Sequence, residues 1–135
     1  MSPAVEEHAR ARIVSDAPHH RPVPVALRYD PAEDPLTVRF AFPGGNEWAF
    51  PRALLEAGLR GPSRRGDVVV WPCGRAQTVL EFHSSDGVAV VQFDSSPLIR
   101  FLRRTHAAPS ASTGRGGLRR SETYVRKEPA PTRDA

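Results

Sequence analysis

Through the middle of the chain the large apolar residues fall on every second position. Leu36, Val38, Phe40 and Phe42 alternate with Thr37, Arg39 and Ala41, the pattern of a strand with one buried face. Val25, Leu27 and Tyr29 do the same just before, in a run that stops at Pro31. Pro43-Gly44-Gly45-Asn46 interrupts the alternation and Glu47-Trp48-Ala49-Phe50 resumes it, which predicts a hairpin. Residues 67–71, 77–82 and 88–93 predict three more strands, the last two joined through Ser85-Asp86-Gly87, an Asp-Gly hairpin signal. A further strand near residues 9–15 brings the set to about seven, mostly antiparallel.

Two segments break the period of two. Pro51 to Gly58 has Pro where a first helical position tolerates it and Gly where a helix C-terminus prefers it. In residues 96–105, Ser96 reads as the N-cap and Pro97 as the first turn. Leu98, Phe101, Leu102 and Thr105 then keep the i, i+3, i+4, i+7 spacing of a face packed on a sheet. The expected fold class is α+β, in the order strands–helix–strands–helix. The two halves are alike in plan, without a repeat in the residues themselves.

Composition sets the limits of that domain. Nine of the ten aromatic residues lie between Tyr29 and Phe101. From Ala107 onward large apolar residues almost vanish, too few for burial to offset the entropy of ordering the chain. Residues 1–106 are therefore expected to fold and residues 107–135 to form a disordered Arg-rich tail. The 135 residues contain no apolar run of the roughly 18 that a membrane span needs, nor a basic-then-apolar start of signal-peptide type. The expected compartment is the cytoplasm. The net charge of +4 is unevenly placed. Residues 1–105 hold thirteen Arg against twelve acids, or +1, whereas residues 106–135 hold five Arg and one Lys against three acids, or +3. No folded basic face follows from that distribution.

Candidate chemistry is sparse. His19-His20, with His8, is the one histidine cluster, and it falls between Pro18 and Pro22 in a linker without the spacing of a metal site. Cys73 lies one strand away from His83, near enough in sequence for a thiol–imidazole pair to be considered, although a small apolar role for Cys73 is the simpler reading. Gly44-Gly45 lacks the Lys and the following helix of a phosphate cradle, and the carboxylates are scattered. No enzyme, metal or cofactor is expected. Single-stranded nucleic acid is the alternative partner, with Trp48 and Trp71 as stacking residues and Arg39, Arg64 and Arg65 beside them; against it stand the folded part's charge of only +1 and a core role for both Trp. Arg100, Arg103 and Arg104, on the outward face of the last predicted helix, are the candidate partner contacts.

Three ordered stretches carry a resemblance. Val23-Pro24-Val25-Ala26-Leu27-Arg28-Tyr29-Asp30 with Asp34-Pro35, then Glu47-Trp48-Ala49-Phe50-Pro51-Arg52-Ala53-Leu54-Leu55-Glu56-Ala57-Gly58-Leu59, then Pro62 with Gly66-Asp67-Val68-Val69-Val70-Trp71-Pro72, resemble the SsgA-like proteins of actinobacterial sporulation and cell division. In order and spacing the likeness covers residues 8–106. The hairpin between Phe42 and Glu47 is shorter than in typical members, and the tail is not a family hallmark. The resemblance implies a non-enzymatic adaptor controlling septum placement or septal peptidoglycan assembly, working at the septum. It implies partners in the division machinery, either the tubulin-like protein FtsZ or a family paralogue. It also implies a whirly-like fold, which some single-stranded nucleic-acid binders share, and a homo-oligomer such as a trimer. No catalytic residue is carried over.

Overall fold

The computed structural model describes residues 4–14 and 22–108. Eight strands and two helices follow in the order β1 (Val5–Val14), β2 (Pro22–Tyr29), β3 (Thr37–Phe42), β4 (Asn46–Pro51), α1 (Arg52–Arg60), β5 (Ser63–Arg65), β6 (Val68–Cys73), β7 (Gln77–Ser84), β8 (Gly87–Asp94) and α2 (Ser95–Ala107). The halves thus share one plan, four strands and a helix each. All strands join one antiparallel sheet in the order β4-β3-β2-β1-β8-β7-β6-β5, and the β1–β8 pairing, Ala11 opposite Phe93, connects the halves.

The alternation along the strands becomes the two faces of this sheet. Val25, Leu27 and Tyr29, Val38 and Phe40, Val68 and Val70, Leu80 and Phe82, and Val91 and Phe93 all point inward and are buried. The sheet curls until distant strands meet over the core. Phe82 of β7 packs on Trp48 of β4 and Phe42 of β3, with ring centroids 4.8 and 5.7 Å apart. Phe40 sits at the centre, edge-on to Phe50, Phe93 and Phe101 at 5.0, 5.6 and 6.4 Å, the arrangement aromatic quadrupoles favour. α1 lies against β5 and β6, and α2 against β1, β7 and β8. The buried threonine hydroxyls among the described residues are satisfied, Thr78 by Ser95 at 2.7 Å and Thr105 by the Leu102 carbonyl at 2.8 Å.

Several local expectations change in detail. Three-residue β5 is an edge strand too short and too polar to show alternation. The helix beginning at Pro51 runs on to Arg60, with Pro51 as its N-cap. Gly58 is therefore helical and not a terminator; it is buried where α1 presses on β6, and a Cβ there would come within 2.3 Å of the Val70 side chain. The last helix starts at Ser95 with Asp94 as N-cap, so Ser96 is not the cap, and no side chain caps that end. At the β7–β8 hairpin Ser84 pairs with Gly87, which makes Ser85-Asp86 the loop and places Gly87 in β8. The β3–β4 turn is as expected: Gly44 and Gly45 take φ of +90° and +86°, a region open to glycine and strained for other residues. The tail expected from residue 107, apart from Ala107 and Ala108, lies outside the described residues, as does the His19-His20 pair.

Candidate functional site

The helix that carries the candidate contacts is amphipathic for a simple reason. Leu98, Phe101, Leu102 and Thr105 of α2 are buried against the sheet, which turns Arg100, Arg103 and Arg104 outward. These three Arg do not share one environment. Arg104 donates to Oε2 of Glu7 at 3.0 Å and to the Glu6 carbonyl at 2.9 Å, and Arg100 donates to Oε1 of Glu7 at 3.4 Å. Glu7 is an inward-facing residue of β1, and its side chain is only 14% exposed. Burial by itself would raise its pKa, but the hydrogen bonds and charges of Arg104 and Arg100 outweigh that and hold the carboxyl below the usual carboxylate range. Arg100 and Arg104 therefore fasten α2 to β1. Arg103 is exposed and makes no ion pair or side-chain hydrogen bond among the described residues, which leaves its guanidinium available to a partner.

α1 is tied to the same helix from the other side. Nη1 of Arg52 reaches the Tyr29 hydroxyl at 3.3 Å and Oγ1 of Thr105 at 3.4 Å, and its guanidinium lies 5.3 Å from the Tyr29 ring centroid. Tyr29 in turn donates to the Pro35 carbonyl at 3.1 Å, and burial pushes its phenol pKa upward, keeping the group neutral. Farther along, Glu56 of α1 pairs with His106 of α2. Beside the Glu56–His106 pair the helices leave an open groove of about 480 Å³ lined by Leu59, Ile99, Leu102, Arg103, His106 and Ala107.

The other candidates from the sequence separate in space. Cys73 is opposite Gln77, whereas the His83 amide bonds to the Asp67 carbonyl; residues 67 and 73 are six positions apart, roughly 20 Å of strand, so no thiol–imidazole pair forms. His83 instead bonds Glu81 at 3.0 Å, and Glu81 also accepts from the Trp71 indole at 2.8 Å. The Trp71 bond, then that from His83, lowers the Glu81 pKa despite partial burial. Trp71 is thus half-buried on the outer face of β6 and is not a core residue, while Trp48 is half-buried inside, against Phe82. Opposite faces of the sheet hold the two indoles, so they form no shared stacking platform. Arg39 faces Glu47 at 3.9 Å, and Arg64 bonds the Gly66 carbonyl. His8 sits beside Glu6 at 3.3 Å. Among the described residues no group of three or more His, Cys, Asp or Glu converges as a metal site.

Sequence reasoning passed over Glu7, Arg52 and Ile99. Glu7 carries a legible signal, being a charge at an inward position of an alternating strand, but its partners lie more than ninety residues away. Ile99, Arg103 and His106 follow i, i+4, i+7, a second stripe beside the core-facing one.

Comparisons with known proteins agree on one family. Residues 23–113 match the family described as "Streptomyces sporulation and cell division protein, SsgA". A sporulation-specific cell division protein SsgB from Streptomyces coelicolor is 37% identical over 120 residues, 84% of this chain and 87% of the relative. Its namesake in Kineococcus radiotolerans is 44% identical over 94 residues; that alignment takes in 64% of this chain and spans only 56% of the relative's length. Among solved structures, one described under "Mutations in SsgB correlate to longitudinal cell division during sporulation of Streptomyces coelicolor" superposes with a TM-score of 0.73 at 38% identity, covering 79% of this chain and 87% of the other. An SsgA-like sporulation-specific cell division protein from Thermobifida fusca superposes at 0.72 and 26% identity, covering 78% and 82%. No helix among the described residues is long and apolar enough to cross a membrane.

Proposed function

The chain belongs to the SsgA family of sporulation and cell-division proteins, and on that premise we propose that it serves sporulation-specific division as an adaptor that binds other proteins of the division machinery. The observation that supports a binding role is the outward flank of α2. Two of its Arg are spent on holding the helix to Glu7, whereas Arg103 and the 39%-exposed Ile99 face solvent together on a rigid scaffold. Arg is enriched at protein interfaces, and an exposed aliphatic side chain beside it offers apolar area that a partner can bury. The proposed partners are a tubulin-like FtsZ protein or a family paralogue, with self-association alongside, and the proposed place of action is the septum.

The test combines genetics and binding. In a sporulating actinobacterium deleted for its own copy, the chain should restore regular septa, and a fluorescent fusion should mark them. Purified protein is expected to bind FtsZ or a paralogue at physiological salt and to show no measurable affinity for single-stranded oligonucleotides. Steeply salt-dependent oligonucleotide binding would instead identify phosphate contacts as its main attraction and overturn the adaptor reading.

A further inference from the structure

The groove between α1 and α2 has a chemistry of its own. Its floor is Leu59, Ile99, Leu102 and Ala107, and its polar wall is Arg103 and His106. His106 is held by Glu56, so the one charged group of the groove without a partner among the described residues is the Arg103 guanidinium. Ile99 is 39% exposed, although a helix packed on a sheet needs only the stripe through Leu98, Phe101, Leu102 and Thr105 to bury its core face. A second stripe with an aliphatic residue at one end and an unpaired Arg one turn on suits an occupant with apolar anchors beside carboxylates.

We propose that this groove docks an amphipathic acidic segment of a partner protein, its apolar side chains over Leu59 and Ile99 and a carboxylate on Arg103. Charge complementarity selects this occupant over the chain's own C-terminal part. Residues 109–135, which follow the lining residue Ala107 closely in sequence, carry five Arg and one Lys against three acids, a net +3. They would bring cations to Arg103. A volume of about 480 Å³ falls in the range of ligand-sized clefts, yet the groove is an open seam between helices, which fits a helical segment laid along it. The inference rests on the reading of the chain as a protein-binding division factor and names the chemistry of its partner.

The experiment titrates the 15N-labelled full chain with three synthetic peptides. One carries Leu at i, i+3, i+4 and i+7 flanked by Asp and Glu, the second replaces every acid by Lys, and the third replaces every Leu by Ser. The acidic Leu peptide is expected to shift amides around Leu59, Ile99 and Arg103, and the other two to bind at least about tenfold more weakly. Arg103→Glu should weaken the acidic peptide by about tenfold or more and improve the Lys peptide, whereas a general loss of structure would weaken both. Ile99→Ser, at an exposed site, should weaken the acidic peptide with an unchanged melting midpoint. Equal binding of the acidic and basic peptides, shifts centred elsewhere, no binding at all, or cross-peaks seating Leu118 or Tyr124 of the same chain on Ile99 would each overturn the proposal. Complementation by the Arg103→Glu variant separates the two ideas. Normal septa with the variant and with the wild type reject the groove and keep the division role, and failure of the wild-type chain rejects the division role itself.

Discussion

Adding one methyl group at Gly58 tests the packing of α1 on the sheet. A Gly→Ala change inside a helix ordinarily stabilises by about 1 kcal/mol, because Ala has the higher helix propensity. Here the new Cβ would lie 2.2 Å from Cγ1 and 2.3 Å from Cβ of Val70, and 3.0 Å from the Val70 carbonyl oxygen. Val70 is fully buried in the central part of β6, and a β-branched side chain on a strand has no other place to go. The helix itself must lift, separating Leu54 and Leu55 from the core. Overpacking costs about 1–3 kcal/mol and occasionally more, and a clash with Cβ itself, which no rotamer change relieves, belongs at the upper end. After the gain of about 1 kcal/mol in propensity the net is a loss of about 2 kcal/mol. Gly61→Ala is the control, since nothing lies within 4 Å of its added Cβ and its φ of −172° is ordinary extended backbone. Urea denaturation of both variants, with melting as a second probe, gives the comparison; about 4–8 °C per kcal/mol is expected for a domain of this size. Gly58→Ala should melt well below the wild type and Gly61→Ala near it. A Gly58→Ala protein as stable as the wild type, or more so, would refute the close approach of α1 to β6.

Other expectations follow from the same contacts. Glu7→Gln should cost about 1–2 kcal/mol at neutral pH, since it breaks two charge-assisted contacts to half-exposed Arg. Because folding lowers the Glu7 pKa from 4.5, its stabilisation is fully present above that value and is lost as pH falls through the folded one. The difference between wild type and variant in denaturant midpoint should therefore close in acid, and a constant difference would contradict the pairing. Trp48→Ala should cost about 2–3 kcal/mol, below the roughly 3–5 typical of a fully buried aromatic, since Trp48 is half-buried against Phe82. Phe40→Ala should show the full cost, and the two denaturation curves compare them directly. Arg52→Lys should lose the bridge between Tyr29 and Thr105 and cost about 1 kcal/mol, with faster amide exchange at the junction of β4 and α1 as the local readout.

How much of this was legible without coordinates depends on the range of each interaction. Alternation is a local property, so Leu36 to Phe42 announced a strand with a buried face, as did the stretch now seen as β2, while β6, β7 and β8 were legible as short apolar, β-branched runs between turns. The strands–helix–strands–helix order and the turn at Gly44-Gly45 rest on equally local chemistry. The amphipathic stripe of α2 was readable for the same reason, and with it the outward position of Arg100, Arg103 and Arg104. Period two says that Trp71 and Trp48 each occupy one face of a strand, but not which face meets the core; only the β6–β7 and β3–β4 registers set them on opposite sides. The distinction among the three Arg depends on Glu7, at the other end of the chain, which reaches them because β1 pairs with β8 and α2 lies across β1. Gly58 reads locally as a helix stop, yet the space it vacates is filled by Val70 of a strand not yet formed in sequence order. Short-range sterics and hydrophobic period thus determine the elements and their exposed faces, whereas pairing partners, close approaches and the α1–α2 groove arise only when the sheet curls and brings distant segments within a few ångströms.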